Sequence, residues 1–434
     1  MFKCACRRSL YNFCLVIALL LYLPKYVWGR LVLKKYKRSF LYRLGIKKLP
    51  NLTLKAPLLW IHAVSLGEAK VALAFAKAAK EYAPGCSIVV SSTTETGFDE
   101  VTKTIPCIDG QFFLPMDFPW LIRPLMKKLN PSLLVFSEGD LWLNLLESAH
   151  AIGAKTLVIN GKISRKSLQR HLRFKGYTQQ MFSCLDHLCV QNDLYKQRFS
   201  QLGVTESKIS ITGNMKLDIP RNSLTEAELK RYRQTLAISP EETIITIGST
   251  HPKEEQMLLQ ALLPLLSNPS CKMILAPRHP ERFNKVEELL QTFCKYGSWS
   301  QRHLLQGSEQ IILIDTLGEL RHCYQIAHVA IVGGSFVDIG GHNLLEPSEY
   351  GVASLFGPYI HKQKEFAQMA VEEGIGFQVD IHHLYPKIKE ILYNPDLQKI
   401  IAQRALTFLS SSRGASLKSW SQAKQLLALQ EKNL

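Results

Sequence analysis

Before Glu68 the chain has no acidic residue, and no other feature of its 434 residues is so uneven. The same segment holds 13 Lys and Arg, so most of the formal net charge of +17 lies there. The remainder is nearly balanced, with 40 basic against 36 acidic residues, which argues against a nucleic-acid partner, because such a body carries its own basic stripe. Other absences narrow the chemistry. There is no G-x-x-x-x-G-K-[ST] and no G-x-G-x-x-G, so a P-loop ATPase and a dinucleotide oxidoreductase both lack their fingerprints. No Asp-x-Asp occurs, which removes the carboxylate pair that holds the metal in many pyrophosphate-leaving enzymes. The ten cysteines are scattered without a C-x-x-C, so neither a zinc site nor a disulfide framework is expected. A hydrophobic content of 46% and a charged content of 21% exclude disorder and a multi-span membrane protein.

One long apolar run is present. Ser9 to Pro24 (SLYNFCLVIALLLYLP) carries no charge. As a helix it spans about 24 Å, short of the roughly 30 Å of a bilayer core, and Tyr26, Val27 and Trp28 extend it if Lys25 snorkels. The following PKYVWGR offers no small-residue cleavage site, so the segment reads as an uncleaved anchor. Three basic residues precede it and nine follow before Pro50, which places the body in the cytoplasm and a basic collar against anionic headgroups.

After the anchor, short apolar runs alternate with helical stretches, the pattern of a parallel sheet covered on both faces. Leu58–Val64, Ser87–Ser92, Phe112–Pro115, Leu133–Phe136, Thr156–Ile159, Leu188–Val190 and Lys208–Thr212 are the expected strands of the first half. Thr243–Gly248, Met273–Ala276, Ile311–Ile314, Val329–Val332 and Ser354–Phe356 are those of the second. The predicted organisation is an anchor and collar (1–50), a Rossmann-like acceptor domain (51–216), a polar linker (217–242) and a second Rossmann-like domain (243–385). Helices (386–434) then cross back toward the first domain. The fold class is α/β, with ligands expected beyond the carboxyl ends of the strands.

The motifs lie at those ends. Ser65-Leu66-Gly67-Glu68 follows the first strand and opens a helix, whose dipole is expected to keep Glu68 ionised and able to take a proton from a hydroxyl; a charge placed at a helix start explains it equally. Ser137-Glu138-Gly139-Asp140-Leu141-Trp142 follows the fourth strand, and helix capping is an alternative account of Asp140. Gly213-Asn214-Met215-Lys216 ends the first domain; Lys216 either meets developing negative charge or is simply solvated. In the second domain, Gly248-Ser249-Thr250-His251 offers backbone N–H groups to a phosphate, and Pro277-Arg278-His279-Pro280-Glu281-Arg282 offers cations. The stretch from Gly333 to Pro347 (GGSFVDIGGHNLLEP) combines four glycines with Asn343 and Glu346 on the first turn of an expected helix. Lys162 to Lys175 (KISRKSLQRHLRFK) holds six basic residues and no acid, and meets acceptor phosphates or the membrane surface unless it is only a solvated face.

Taken in order, SLGE, SEGDLW, GNMK, GSTHPKEE, APRHPER, DTLGEL, GGSFVDIGGHNLLEP and FGP resemble the 3-deoxy-D-manno-octulosonic acid (Kdo) transferases of lipopolysaccharide inner-core biosynthesis, over essentially the whole chain. The resemblance implies a GT-B fold, two Rossmann-like doubly wound domains facing a cleft. It also implies an inverting, metal-independent transfer of Kdo from CMP-Kdo to lipid A precursor (lipid IVA), or onto Kdo already added, at the inner membrane and without a cofactor. By position, Glu68 matches the general base, and Glu138 and Lys216 match transition-state stabilisers. Pro277 and Arg278, then Leu317, Gly318 and Glu319, then Asn343, Leu344, Leu345 and Glu346 match CMP-binding segments. Asp140 stands where Glu is common and Leu143 where Pro follows the Trp. Another membrane-associated GT-B nucleotide-sugar enzyme is the alternative reading.

Overall fold

The strands of the first half are apolar on both faces, Leu58–Ala63 and Leu133–Ser137 being buried at every position, as a sheet with helices on each side requires. In the computed structural model, which describes residues 2–32, 37–47, 52–103, 107–218 and 223–431, the chain forms two units: Met1–Pro220 with Ser412–Leu434, and Arg221–Ser411. The positions 34, 35 and 48 of the basic collar lie outside the described residues.

The first unit begins with α1 (Phe2–Leu31) and the short α2 (Ser39–Arg43). Its sheet comprises β1 (Leu58–Ala63), β2 (Ser87–Ser92), β3 (Gly110–Phe113), β4 (Leu133–Ser137), β5 (Lys155–Gly161), β6 (His187–Val190) and β7 (Ile209–Ile211). They are all parallel, in the order β3-β2-β1-β4-β5-β6-β7. Between them run α3 (Leu66–Tyr82), α4 (Glu95–Thr102), α5 (Pro119–Leu129), α6 (Leu143–Ala151), α7 (Arg165–Arg173), α8 (Lys175–Ser183) and α9 (Asp193–Gln201). Alternation along the strands builds two cores. Trp60, Val89, Leu134 and Phe136 face one way, toward α5, α6, α8 and α9. Leu59, Ile61, Val90 and Val135 face the other, toward α3.

The second unit opens with α10 (Glu226–Thr235). Its sheet runs β10-β11-β9-β8-β12-β13-β14, again wholly parallel: β8 (Thr243–Thr250), β9 (Cys271–Pro277), β10 (Tyr296–Ser298), β11 (Ile311–Leu313), β12 (Val329–Val332), β13 (Ala353–Phe356) and β14 (Gly376–Gln378). It is flanked by α11 (Glu254–Leu262), α12 (Phe283–Gln291), α13 (Leu320–Ile326), α14 (Lys364–Glu372), α15 (Ile381–Leu392) and α16 (Pro395–Ser412). The last helix, α17 (Ala415–Glu431), belongs to the first unit, where Trp420 meets Phe75 edge to face at 6.0 Å within the α3 core.

Three details differ from the sequence reading. The stretch 217–242 contains α10, capped reciprocally by Thr225 and Glu228, whose Tyr232 joins Leu236 and Ile238 against Ile244 and Ile274 of the second sheet. Its apolar stripe is narrow and its charge content high, which gives the composition of a linker to an amphipathic helix. A boundary at 386 falls inside α15, whose Leu384, Ile388 and Ile391 pack in the second core. The edge strands β10 and β14 have three residues each, too short for any periodic signal.

The apolar segment is a 30-residue helix, longer than the charge-free run, and Cys6–Leu31 is long and apolar enough to cross a membrane by length and composition. One side of α1 exposes Leu10, Phe13, Leu20, Leu21 and Trp28. The other is tied to the body. The Arg7 guanidinium donates to Gly176 O (3.0 Å), the Tyr11 hydroxyl donates to Asp117 (2.9 Å), and Asn144 donates to Asn12 (2.8 Å). Near its C-terminal end Tyr26 stacks on Phe40 at 5.2 Å.

The first sheet reverses its strand order at β1/β4 and the second at β8/β12. Ligands of open parallel sheets bind at such switch points. The motifs SLGE and SEGDLW leave the first, and GSTHPKEE and GGSFVDIGGHNLLEP leave the second.

Candidate active site

In the first unit, Ser65 is the N-cap of α3, its hydroxyl accepting from Glu68 N at 3.4 Å. Glu68 folds back over the same turn: Oε1 accepts from the Ser65 hydroxyl and Oε2 from Val64 N, both at 2.9 Å. The Thr93 and Thr94 hydroxyls donate to Val64 O at 3.0 and 2.9 Å and pin the turn from the next loop. Glu68 is buried, and this decides its protonation. Burial pushes its pKa up from 4.5 to about 7, against the two hydrogen bonds and with help from the negative charges of Asp140 and Glu138. The helix dipole was expected to keep this group ionised; desolvation outweighs it.

Glu138, the first residue beyond β4, has a left-handed backbone at φ 66°, and its N–H donates to Ile159 O at 2.8 Å. A non-glycine residue in that region is strained unless its surroundings hold it there. Here two lysines do. Lys216 Nζ lies 2.7 Å from Oε1 and Lys162 Nζ 2.6 Å from Oε2, while Asn160 Nδ2 donates to Oε1 at 3.4 Å. Burial alone would raise the Glu138 pKa, but Lys216 and then Lys162 outweigh it and hold the carboxyl below its usual range. Asp140 goes the other way, raised by burial and by the charge of Glu138.

Lys216 sits in a 3₁₀ turn, Met215–Leu217, where the Asn214 side chain accepts from its N–H at 3.0 Å and Met215 is fully buried. Its Nζ comes to 3.7 Å from where a Cβ on Gly67 would lie, which places the ammonium against the start of α3. The three catalytic candidates, Glu68, Glu138 and Lys216, are therefore assembled at one sheet switch point.

Three participants escaped the sequence reading. Asn160, fully buried and at φ 53°, joins Glu138 to the GNMK turn by accepting from Met215 N at 2.9 Å. Lys162 appeared only as part of a basic stretch, although its place just past β5 marked it for the same sheet edge. His62, one residue before the end of β1, is buried against Trp142 with ring centroids 5.7 Å apart. Its Nδ1 pairs with the Ser91 hydroxyl at 2.9 Å, and burial lowers its pKa to about 3, so it is neutral.

In the second unit the glycine-rich loop is organised from within. Glu254, fully buried at the start of α11, accepts from Gly334 N (2.8 Å) and His251 N (3.1 Å) through Oε2, and from Ser335 N (3.2 Å) and Phe336 N (3.0 Å) through Oε1. The N–H of His251, which the sequence suggested for a phosphate, is thus taken by a carboxylate, as are those of 334–336. Gly333 is needed for close approach, since a Cβ there would lie 2.6 Å from Ser249 O. Three histidine side chains gather around this loop. His251 and His342 stack, their Nε2 atoms 2.8 Å apart, with His279 edge-on to His251 at 5.3 Å. Burial first, then the positive charge of His251 and Arg278, lowers His342 to about 4.

Arg278 is exposed just past Pro277, the last residue of β9. Leu317 is exposed, Gly318 is left-handed at φ 100°, and the Glu319 carboxylate accepts from the Tyr232 hydroxyl at 3.2 Å and lies 3.1 Å from His322 Nδ1. Asn343 and Glu346 were expected on the first turn of a helix. They lie instead in a turn before the 3₁₀ helix Pro347–Tyr350, where the Asn343 side chain accepts from Leu345 N at 3.3 Å and Glu346 lies 3.7 Å from Arg321 Nε. Leu344 and Leu345 are buried, so they have only backbone groups to offer a ligand.

This arrangement, two parallel doubly wound units with polar clusters at their strand ends, is that of the GT-B fold. A glycosyltransferase from Rickettsia africae shares it with a TM-score of 0.58 at 17% identity, over 88% of this chain and 100% of that chain. A UDP-N-acetylglucosamine 2-epimerase does so with a TM-score of 0.58 at 14% identity, over 86% and 96%. A family profile described as 3-deoxy-D-manno-octulosonic-acid transferase (kdotransferase) matches residues 38–219. The 3-deoxy-D-manno-octulosonic acid transferase of Chlamydophila psittaci is 35% identical over 96% of this chain and 96% of its own length, and that of Haemophilus influenzae is 30% identical over 82% and 84%. The chain belongs to the Kdo transferase family.

A loop held by one buried carboxylate is sensitive to its charge. Glu254→Gln replaces an acceptor of four N–H bonds by a group that presents a donor to some of them, and is expected to cost about 1–3 kcal/mol of stability. Chemical denaturation of the two proteins without ligand measures this, and a difference near zero would mean that the loop holds its shape unaided.

Proposed function

We propose that this Kdo transferase moves Kdo from CMP-Kdo to a hydroxyl of lipid A precursor, with inversion and without a metal ion. The observation that carries the reading is Glu68, a buried carboxyl with a pKa of about 7 beside a carboxylate neutralised by two lysines. A base poised near neutrality is matched to taking a hydroxyl proton at cellular pH. In this reading Glu68 removes the acceptor proton, the oxygen attacks the anomeric carbon of Kdo, and the bond from that carbon to the phosphate oxygen breaks, CMP leaving with the electron pair. Lys216, kept in place by Glu138, stabilises negative charge as that bond lengthens. Arg278 and the neighbouring cations hold the CMP phosphate, and the segments 317–319 and 343–346 hold the nucleoside.

The body is proposed to sit on the cytoplasmic face of the inner membrane, with α1 lying along the first unit and its exposed apolar side in the lipid. Support comes from contacts along α1, from Arg7 to Tyr26, which a helix crossing the bilayer upright would give up. Lys166, Arg170 and Arg173 stand exposed with Leu172 and Phe174, a mixture suited to an anionic lipid surface.

Mass spectrometry of products from lipid A precursor and CMP-Kdo tests the transfer. Wild type is expected to add the mass of Kdo, and Glu68→Gln to lower kcat by about 10²- to 10⁴-fold while still binding CMP. Turnover with UDP-sugars in place of CMP-Kdo would favour the alternative nucleotide-sugar enzyme. Neutralising Lys166, Arg170 and Arg173 together is expected to raise the acceptor KM and leave the CMP-Kdo KM unchanged; equal values in both would place this face in plain solvent.

A further inference from the structure

Beside the catalytic loop of the first unit lies a groove of about 280 Å³, walled on one side by Ala18, Leu19 and Leu23 of α1 and on the other by Met116, Phe118 and Trp142. We propose that this groove receives an acyl chain of the glycolipid acceptor; the inference rests on the lipid A reading above and adds a subsite to it. Four observations on the groove and its surroundings converge. Its volume is at the small end of ligand pockets, enough for part of a chain. Its helical wall is the reverse side of the segment that exposes Leu10, Phe13, Leu20 and Leu21, so an acyl chain reaches it without leaving apolar surroundings.

The third observation links it to the chemistry. Trp142 lines the groove, stands two residues beyond Asp140 in the SEGDLW loop, and packs its ring on His62, near the end of the strand that leads to Glu68. The groove is thereby separated from the end of that strand by the packed rings of Trp142 and His62, close enough for one acceptor molecule to serve both. The fourth is charge. Arg43 also lines the groove, and its Nε is buried with no hydrogen-bond partner, a donor suited to an ester or phosphate oxygen where the chain joins the sugar. Asp117 also lines the groove, its carboxyl engaged by the Tyr11 hydroxyl and the N–H groups of Asn144 and Leu145, so the Arg43 donor in a largely apolar slot fits an acylated, oxygen-bearing lipid better than an apolar peptide segment.

The groove acts on acceptor affinity through the chain and leaves the sugar chemistry alone. Two acceptors separate these effects: tetraacylated lipid A precursor, and the same disaccharide bisphosphate stripped of its acyl chains, each assayed with CMP-Kdo in one detergent. Ala18→Phe, which fills the slot, and Leu19→Gln, which makes its wall polar, are each expected to raise the KM of the acylated acceptor about fivefold or more, and that of the stripped acceptor less than about twofold, the size expected when one or two methylene groups lose their burial. An unchanged KM on the acylated acceptor in both variants overturns the proposal, as does an equal rise on both acceptors. Photolabelling provides a second readout independent of turnover. A precursor with a diazirine in its acyl chain is expected to label the peptides containing Ala18 or Trp142, and labelling elsewhere counts against the groove. A wild-type protein that transfers Kdo to neither acceptor defeats the lipid A reading itself, and the groove proposal with it.

Discussion

The first unit depends on how it keeps one negative charge from spoiling another. Glu138 and Glu68 are both buried at the β1/β4 switch point, and two uncompensated carboxylates there would each resist ionisation. Lys162 and Lys216 neutralise Glu138 from two sides, so Glu138 stays ionised and Glu68 is left to titrate near neutrality. Much else in the unit serves that charge arrangement. Asn160 binds the Glu138 carboxylate to the turn that carries Lys216, and Glu138 takes a left-handed backbone to bring its side chain between the lysines. The Ser65 cap and the Thr93 and Thr94 hydroxyls fix the turn from which Glu68 projects.

The second unit uses a buried carboxylate for another purpose. Glu254 collects four backbone N–H groups and shapes the loop from within, which leaves Arg278 to present positive charge beside the stacked histidines. The stacked pair of His251 and His342 stays neutral near pH 7 in the free protein because burial and neighbouring cations disfavour protonation.

Most of this framework was legible in the sequence because parallel sheets announce themselves. Strands buried on both faces must be apolar throughout, so Leu133–Phe136 and Val329–Val332 stand out in any reading, and the residues after each strand necessarily gather on one edge. Glu68, Glu138 and Lys216 followed from that rule and from the family likeness. What escaped was either long-range or disguised. No local pattern pairs Lys162 with Glu138 or Asn160 with Met215, since only sheet order brings β4, β5 and the GNMK turn together. The amphipathic α10 has the composition of a linker, and the acidic pair after Thr250 reads as an ordinary helix start until the structure shows Glu254 turned inward. The protonation of Glu68 was misjudged because a sequence displays a helix dipole but not the burial that outweighs it.

The claim on which the account turns is that Glu68 gains and loses its proton near neutral pH. The direct measurement is the pH dependence of kcat/KM for Kdo transfer with wild-type enzyme, supported by the ¹³C shift of the Glu68 carboxyl followed over the same range. Both are predicted to show an acid limb centred at about 7, activity rising as the carboxyl ionises. A limb and a carboxyl titration between about 4 and 5, the range of an ordinary glutamate, would contradict the account.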